Sequence, residues 1–174
     1  LKNEIYILQS RRLMSTVVDR LHLDVNYSTT EGLQPITLYK LKPFAITFLS
    51  PFFASATFDV DVLTPTSVKI SGMKIDGQNV NYKEEVNYGQ VVNTPAGKIF
   101  LTKTDRGDGF LGKVIQVSRL SKEKTVSAFN EAVTADEFDK EASLIVLSCK
   151  DTNEDRAQAI LNTLLNVYKE DIIQ

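Results

Sequence analysis

Thr57-Phe58-Asp59-Val60-Asp61-Val62 alternates polar and apolar side chains without a break. A period of two puts Phe58, Val60 and Val62 on one side of a strand and Asp59 and Asp61 on the other, so the segment belongs in a sheet with one dry and one wet face. Shorter runs of the same texture occupy residues 23–27, 45–49, 67–71, 98–102 and 114–120. Turn signals separate them, among them Leu63-Thr64-Pro65, Asp76-Gly77 and Thr94-Pro95-Ala96-Gly97. Short strands at regular spacing predict a small sandwich or a curled antiparallel sheet.

The two ends of the chain change period. Between residues 3 and 22, Tyr6, Ile7, Leu13, Met14, Val17, Val18 and Leu21 fall within an arc of about 140° at helical pitch, which predicts one amphipathic helix. Beyond residue 120 the pattern predicts a helix over 121–133 opened by Ser121, a fully buried strand over 144–148, and a last helix from about 154 to 172. That last helix carries Asp and Glu in its first turn, as the helix dipole favours. The expected fold class is therefore α+β. The N-terminal helix and a C-terminal strand-helix-strand-helix share an α/β layer, and an antiparallel β subdomain, residues 30–112, is inserted within a single domain of 174 residues. A chain of this length buries roughly 70% of its unfolded surface and needs no disulfide to hold a core.

Two short motifs invite a functional reading, and both sit in Asp105-Arg106-Gly107-Asp108-Gly109-Phe110-Leu111-Gly112-Lys113-Val114. Residues 107–113 spell a phosphate loop except for its last letter: Val114 stands where a Ser or Thr hydroxyl must hold magnesium. A phosphate loop also opens a helix, whereas Val114-Ile115-Gln116-Val117 is β-branched and alternating, so residues 105–109 are expected to form a loop between strands. Arg106-Gly107-Asp108 matches an adhesion tripeptide by letter alone. Asp59 and Asp61 read as a solvated sheet face rather than a catalytic pair or a calcium site. Asp136-Glu137-Phe138-Asp139-Lys140-Glu141 lacks the glycine and spacing of a calcium loop and reads as a polar connection.

The remaining chemistry is sparse. His22 is the sole histidine and Cys149 the sole cysteine, the first expected at a helix end and the second as a small buried hydrophobe. No catalytic group, cofactor site or metal site can be assembled, so the domain is expected not to be an enzyme. With 20 basic and 22 acidic residues interspersed, for a net charge of −2, no basic stripe supports nucleic-acid binding. No run of apolar residues reaches membrane-spanning length. Opening at Leu1 within what looks like a helix, the sequence reads as an excised domain.

The opening Asn3–Tyr27 stretch, with Leu8, Ser10, Val17, Leu21 and Leu23 in the pattern L-x-S-x6-V-x3-L-x-L, resembles the entry to the extracytoplasmic domain of the chain-length determinant family, the polysaccharide co-polymerases. The closing stretch is similar to that family's exit: a buried strand, an acidic turn, then Ala157, Ile160, Asn162 and Tyr168 as A-x2-I-x-N-x5-Y. The two matches cover about a third of the chain, in the family's order. The long β insertion is most similar to the subclass fused to a cytoplasmic tyrosine autokinase. The resemblance implies a periplasmic domain of an inner-membrane protein, with a membrane connection only through flanking spans absent here. It further implies homo-oligomeric rings, no cofactor in this domain, and the polymerase or export machinery and the growing glycan as partners.

Helical phase places Ile5 and Leu8 outside the main apolar arc, beside Arg12, and these three residues are the expected oligomer contact. The last helix carries an apolar arc of about 160°, wider than one-sided packing requires. The alternative reading is a secreted carbohydrate-binding β module, for which Tyr27, Tyr39, Tyr82 and Tyr88 are available but no Trp. One copy is expected to bind soluble glycans only weakly.

Overall fold

The computed structural model describes residues 1–139, 141 and 143–173. It is mixed α+β with antiparallel sheets: four α-helices and twelve strands among the described residues. The chain forms two compact units, residues 1–23 with 122–174, and residues 24–121.

The first unit begins with α1 (Lys2–Leu8) and α2 (Arg11–Leu21). The single helix expected over 3–22 is broken because Ser10 adopts extended backbone (φ −75°, ψ 145°) and its hydroxyl accepts the Leu13 N–H at 3.3 Å. Ser10 therefore caps a new helix instead of continuing the old one. α2 buries Leu13, Met14, Val17 and Val18, and ends at His22 in the left-handed region (φ 51°), whose N–H returns to the Val18 carbonyl.

The second unit holds β1 (Val25–Glu31), β2 (Gln34–Leu38), β3 (Phe44–Phe48), β4 (Ala56–Thr64), β5 (Ser67–Ile75), β6 (Gln78–Asn79), β7 (Glu84–Asn87), β8 (Val92–Thr94), β9 (Gly97–Lys103) and β10 (Val114–Arg119). One sheet of seven strands runs β2-β1-β10-β4-β5-β6, with β7 also on β5; a second runs β3-β9-β8. Phe58, Val60 and Val62 of β4 face a shared core with Ile70 of β5, Ile115 and Val117 of β10, and Phe44, Ile99 and Leu101 from the smaller sheet. Tyr27 ties the sheets together: its buried hydroxyl accepts the Ile46 N–H at 2.8 Å, and its ring meets Phe44 edge-on at 5.9 Å. Burial pushes that hydroxyl's pKa up to about 12. The insertion is wider than 30–112, because β1 and β10 pair with each other (Val25 opposite Arg119) and both belong to it.

That pairing corrects one expectation. The strand at 114–119 lies between β1 and β4, not beside the C-terminal strand, since Ile115 and Val117 complete the β unit's dry face. At the last dry-face position stands Arg119, 5% exposed, its guanidinium 3.9 Å from the Phe48 ring and 4.8 Å from that of Phe52. It donates to the carbonyls of Ala96 (3.0 Å) and Ser50 (2.8 Å), which is how a buried cation is made tolerable.

The first unit resumes with α3 (Lys122–Ala132), β11 (Val133–Asp139), β12 (Leu144–Cys149) and α4 (Glu154–Ile173). Asp136, Glu137, Phe138 and Asp139, expected in a polar connection, are part of β11, which pairs antiparallel with β12; Lys140 lies outside the described residues. Nor is β12 fully buried: Ile145, Leu147 and Cys149 pack inward while Leu144 and Val146 are exposed. A two-stranded sheet is marginal alone; here Val133, Ala135, Ile145 and Leu147 share a core with α2 and with Ile160, Leu164 and Val167 of α4. The start of α4 is fixed by Asn153, whose side-chain oxygen accepts the Arg156 N–H at 2.9 Å. Asp151 takes a two-point grip from the Arg156 guanidinium at 2.8 Å for each contact.

Tyr27→Phe strands the buried Ile46 N–H, and a loss of about 2 kcal/mol is expected in urea unfolding. Asp151→Ala leaves the largely buried Arg156 without its carboxylate and is expected to cost about 3 kcal/mol in the same measurement.

Candidate functional site

The expected oligomer contact divides once folded. Leu8 is 5% exposed and sits in the helical core, so its expected exposure is corrected: the break at Ser10 resets the helical phase and turns Leu8 inward. The same reset leaves Tyr6 79% exposed, although phase had placed it in the apolar arc. Ile5 is half-buried against the core. Arg12 is exposed and grips Asp171 of α4 through both guanidinium nitrogens. That hydrogen bonding raises the Arg12 pKa and lowers that of Asp171, but a pair this open to solvent contributes little to stability.

The motif loop does structural work. Gly107–Phe110 makes a single 3-10 turn, and Val114 opens β10 rather than a helix. Lys103 donates to the Asp108 carboxylate and to the Pro65 carbonyl. Its chain lies so close to Gly107 that a Cβ there would come within 2.7 Å. Of the tyrosines offered for a sugar platform, Tyr27 is buried and Tyr82 and Tyr88 pack against the β core, while Tyr39 is half-buried with the Lys42 ammonium over its ring. Cys149 is half-buried, and burial pushes its thiol pKa upward. No group of three or more metal-ligating side chains is found among the described residues, and none of the described helices is long and apolar enough to cross a membrane.

What the sequence did not single out is a depression of about 350 Å³ on the wet face of the seven-stranded sheet, lined by Asn26, Ser28, Thr57, Asp59, Gly72, Lys74, Gln116 and Ser118, together with Phe58 and Val117. Register creates it. Ser28 lies opposite Gln116 and Gln116 opposite Asp59, while Asn26 lies opposite Ser118, Ser118 opposite Thr57 and Thr57 opposite Lys74. Four neighbouring strands thus contribute two polar rows. Between Thr57 and Asp59 the β4–β5 register slips, with Gly72 at φ +63° in the extra space. This is a glycine bulge, the device that locally bends a strand and re-aims side chains. Any Cβ on Gly72 would lie 2.9 Å from the Asp59 carboxylate oxygen. An isolated glycine inside a strand pattern is the one signal for this that the sequence carried.

Gln116 buries its side-chain oxygen without a hydrogen-bond partner. Burial, and secondarily the charge of Asp61 two residues on, raise the Asp59 pKa. Asp61 itself has Lys69 at 3.6 Å, and Lys74 is exposed at the rim. No family model matches the chain, and no curated protein is significantly similar to it.

A carboxyl whose folded pKa lies above its unfolded value favours folding when protonated. That contribution is full below the ordinary aspartate range and is lost as pH rises through the raised value. Asp59→Asn, an uncharged mimic of the protonated form, is therefore expected to be more stable than wild type at neutral pH. The difference should close on acidification below the ordinary aspartate range, read by urea unfolding across pH with Asp61, Lys69 and Lys74 intact.

Proposed function

We propose that this chain is the extracytoplasmic scaffold domain of an inner-membrane protein that sets the length of a capsular or exopolysaccharide and assists its export by assembling into a ring. The observation that supports it most is the meeting of the two segments that resemble the chain-length determinant family. They come from opposite ends of the chain, yet α2 and α4 share one core through Leu13, Met14, Val17 and Val18 on one side and Ile160, Leu164 and Val167 on the other. Arg12 and Arg20 of the entry helix pair with Asp171 and Glu170 of the exit helix. In this reading the terminal segments make the α/β layer and the β unit is the insertion it carries.

The domain's task is positional rather than catalytic. Its partners are further copies of itself, the polymerase or export machinery and the growing glycan, with a cytoplasmic tyrosine autokinase as a separate part of the same protein. Ile5 and Arg12 remain available to a neighbouring copy; Leu8 does not.

Deleting the gene in its native host should change the length distribution of the surface polysaccharide on a gel or abolish the surface polymer, with recovery on return of the wild-type gene. An unaltered distribution and unaltered surface polymer would refute the reading.

A further inference from the structure

We propose that the outward face of the β11–β12 sheet is a docking surface for α4 of a second copy of this chain, in a head-to-tail contact. Among the described residues this sheet has two strands and one covered side. Ile145, Leu147 and Cys149 of β12 pack on the helical core, so the residues between them point the other way. Two of these are apolar: Leu144 is 51% exposed and Val146 47%. Phe138 of β11, which the bulge between Glu137 and Asp139 leaves without a partner across the sheet, is 72% exposed. Asp136 stands opposite Val146 and Asp139 opposite Leu144, so this apolar centre has an acidic rim. An apolar sheet face is stable when a second layer covers it. α4 of the same chain does not cover this one, because Ile160, Leu164 and Val167 lie on the sheet's inner side.

The same compact unit carries a surface of matching chemistry. On α4, Leu161, Leu165, Tyr168 and Ile172 repeat at the alternating four- and three-residue spacing of a helix seam. That seam lies about 100° around the helix from the three core-facing residues. Leu161 and Tyr168 are half-buried at the edge of the core, whereas Leu165 and Ile172 are 38% and 59% exposed. Residues 157–168 contain no charge, and their exposed members are Gln158, Asn162, Leu165 and Asn166. A surface helix ordinarily carries charge on its outer side, and depletion of charge marks the centre of a contact surface. Lys169, the first charge beyond this stretch, is exposed and has the sign that suits Asp136 and Asp139. The seam and β12 are each about 17 Å long, so one helix covers the strand from end to end. Other occupants fit less well. Sheet against sheet would press Asp136 and Asp139 on their own copies, an anionic lipid surface meets the same repulsion, and α4 against α4 leaves the sheet bare. A contact between unlike faces repeats from copy to copy; that the repeat closes into a ring rests on the scaffold reading.

The test is sedimentation velocity of the full chain over a wide range of concentrations. The wild type is expected to associate reversibly into dimers and longer species, with a dissociation constant in the upper micromolar range because the contact is smaller than a standard interface. Val146→Glu on the sheet and Leu165→Glu on α4 should each weaken association about tenfold. Each variant keeps one intact face, so an equimolar mixture of the two should recover dimers and stop there. Amide NMR spectra establish that the variants are folded, and Leu144→Glu with Ile172→Glu takes the place of the first pair if either of its members is not. Four outcomes would overturn the proposal: the wild type stays monomeric at its highest soluble concentration, either variant associates as the wild type does, the mixture recovers no dimer, or the mixture grows beyond dimers. Gene deletion reads polymer length in the cell and sedimentation reads contact in the isolated chain, so either idea can fail without the other.

Discussion

The pairing of β1 with β10 is the contact on which the architecture turns. Val25 opposite Arg119, and the Leu120 N–H donating to the Asp24 carbonyl at 2.9 Å, bring the first and last residues of the β unit side by side. The chain therefore enters and leaves that unit at one place, and the segments before residue 24 and after residue 121 are free to build a second core together. Without this closure α2 and α4 would be joined by a long open connection, and the entropy of bringing them together would fall on the helical core alone. Arg119 stands at the closing position. Its guanidinium reaches the carbonyls of Ser50 and Ala96 and stacks on Phe48 and Phe52, so it also fastens the segment after β3 and the turn before β9.

Periodicity carried the local structure a long way. The alternation in 57–62 named the dry face of β4 correctly, the acidic first turn marked α4, and the β texture marked an inserted unit whose expected bounds, 30–112, fell short of 24–121 at both ends. Failures came where the period was short or the partner distant. Ser10 ended a helix inside an apolar pattern that could have run on, because a hydroxyl can satisfy an orphan N–H and the sequence does not say whether it will. β11 was hidden because only Val133 and Ala135 face inward while Asp136, Glu137 and Asp139 supply the look of a loop. β12 supplies the pairing that makes it a strand. The position of β10 between β1 and β4 is a long-range choice among strands of similar texture, which no local window contains.

The candidate site was partly in view and partly not. Asp59 was noticed, and the ordinary explanation of a solvated face was correct for Asp61, which has Lys69 beside it. Gln116 and Lys74 were invisible, since each becomes relevant only when the strand register sets it near Asp59. Polar rows that cross three and four strands are a property of pairing, not of any one segment.

Nothing in the folding of the β unit calls for those rows to be arranged as they are. A wet sheet face is stable with side chains that reach water or one another, as the Lys69–Asp61 pair does, and a regular β5 would need no left-handed glycine. Instead the sheet holds a carboxylate that burial disfavours, an enclosed amide oxygen with no donor, and a bulge that keeps a side chain off the Asp59 carboxylate. Each lowers stability slightly, and a threonine or serine at Gln116 or Asp59 would remove the cost without touching the core behind. Folding tolerates such features singly; here three neighbouring strands, β10, β4 and β5, bring them together. Their concentration on interior strands follows from the register of β10 with β4 and of β4 with β5, and from the bulge at Gly72, rather than from any one segment of the sequence.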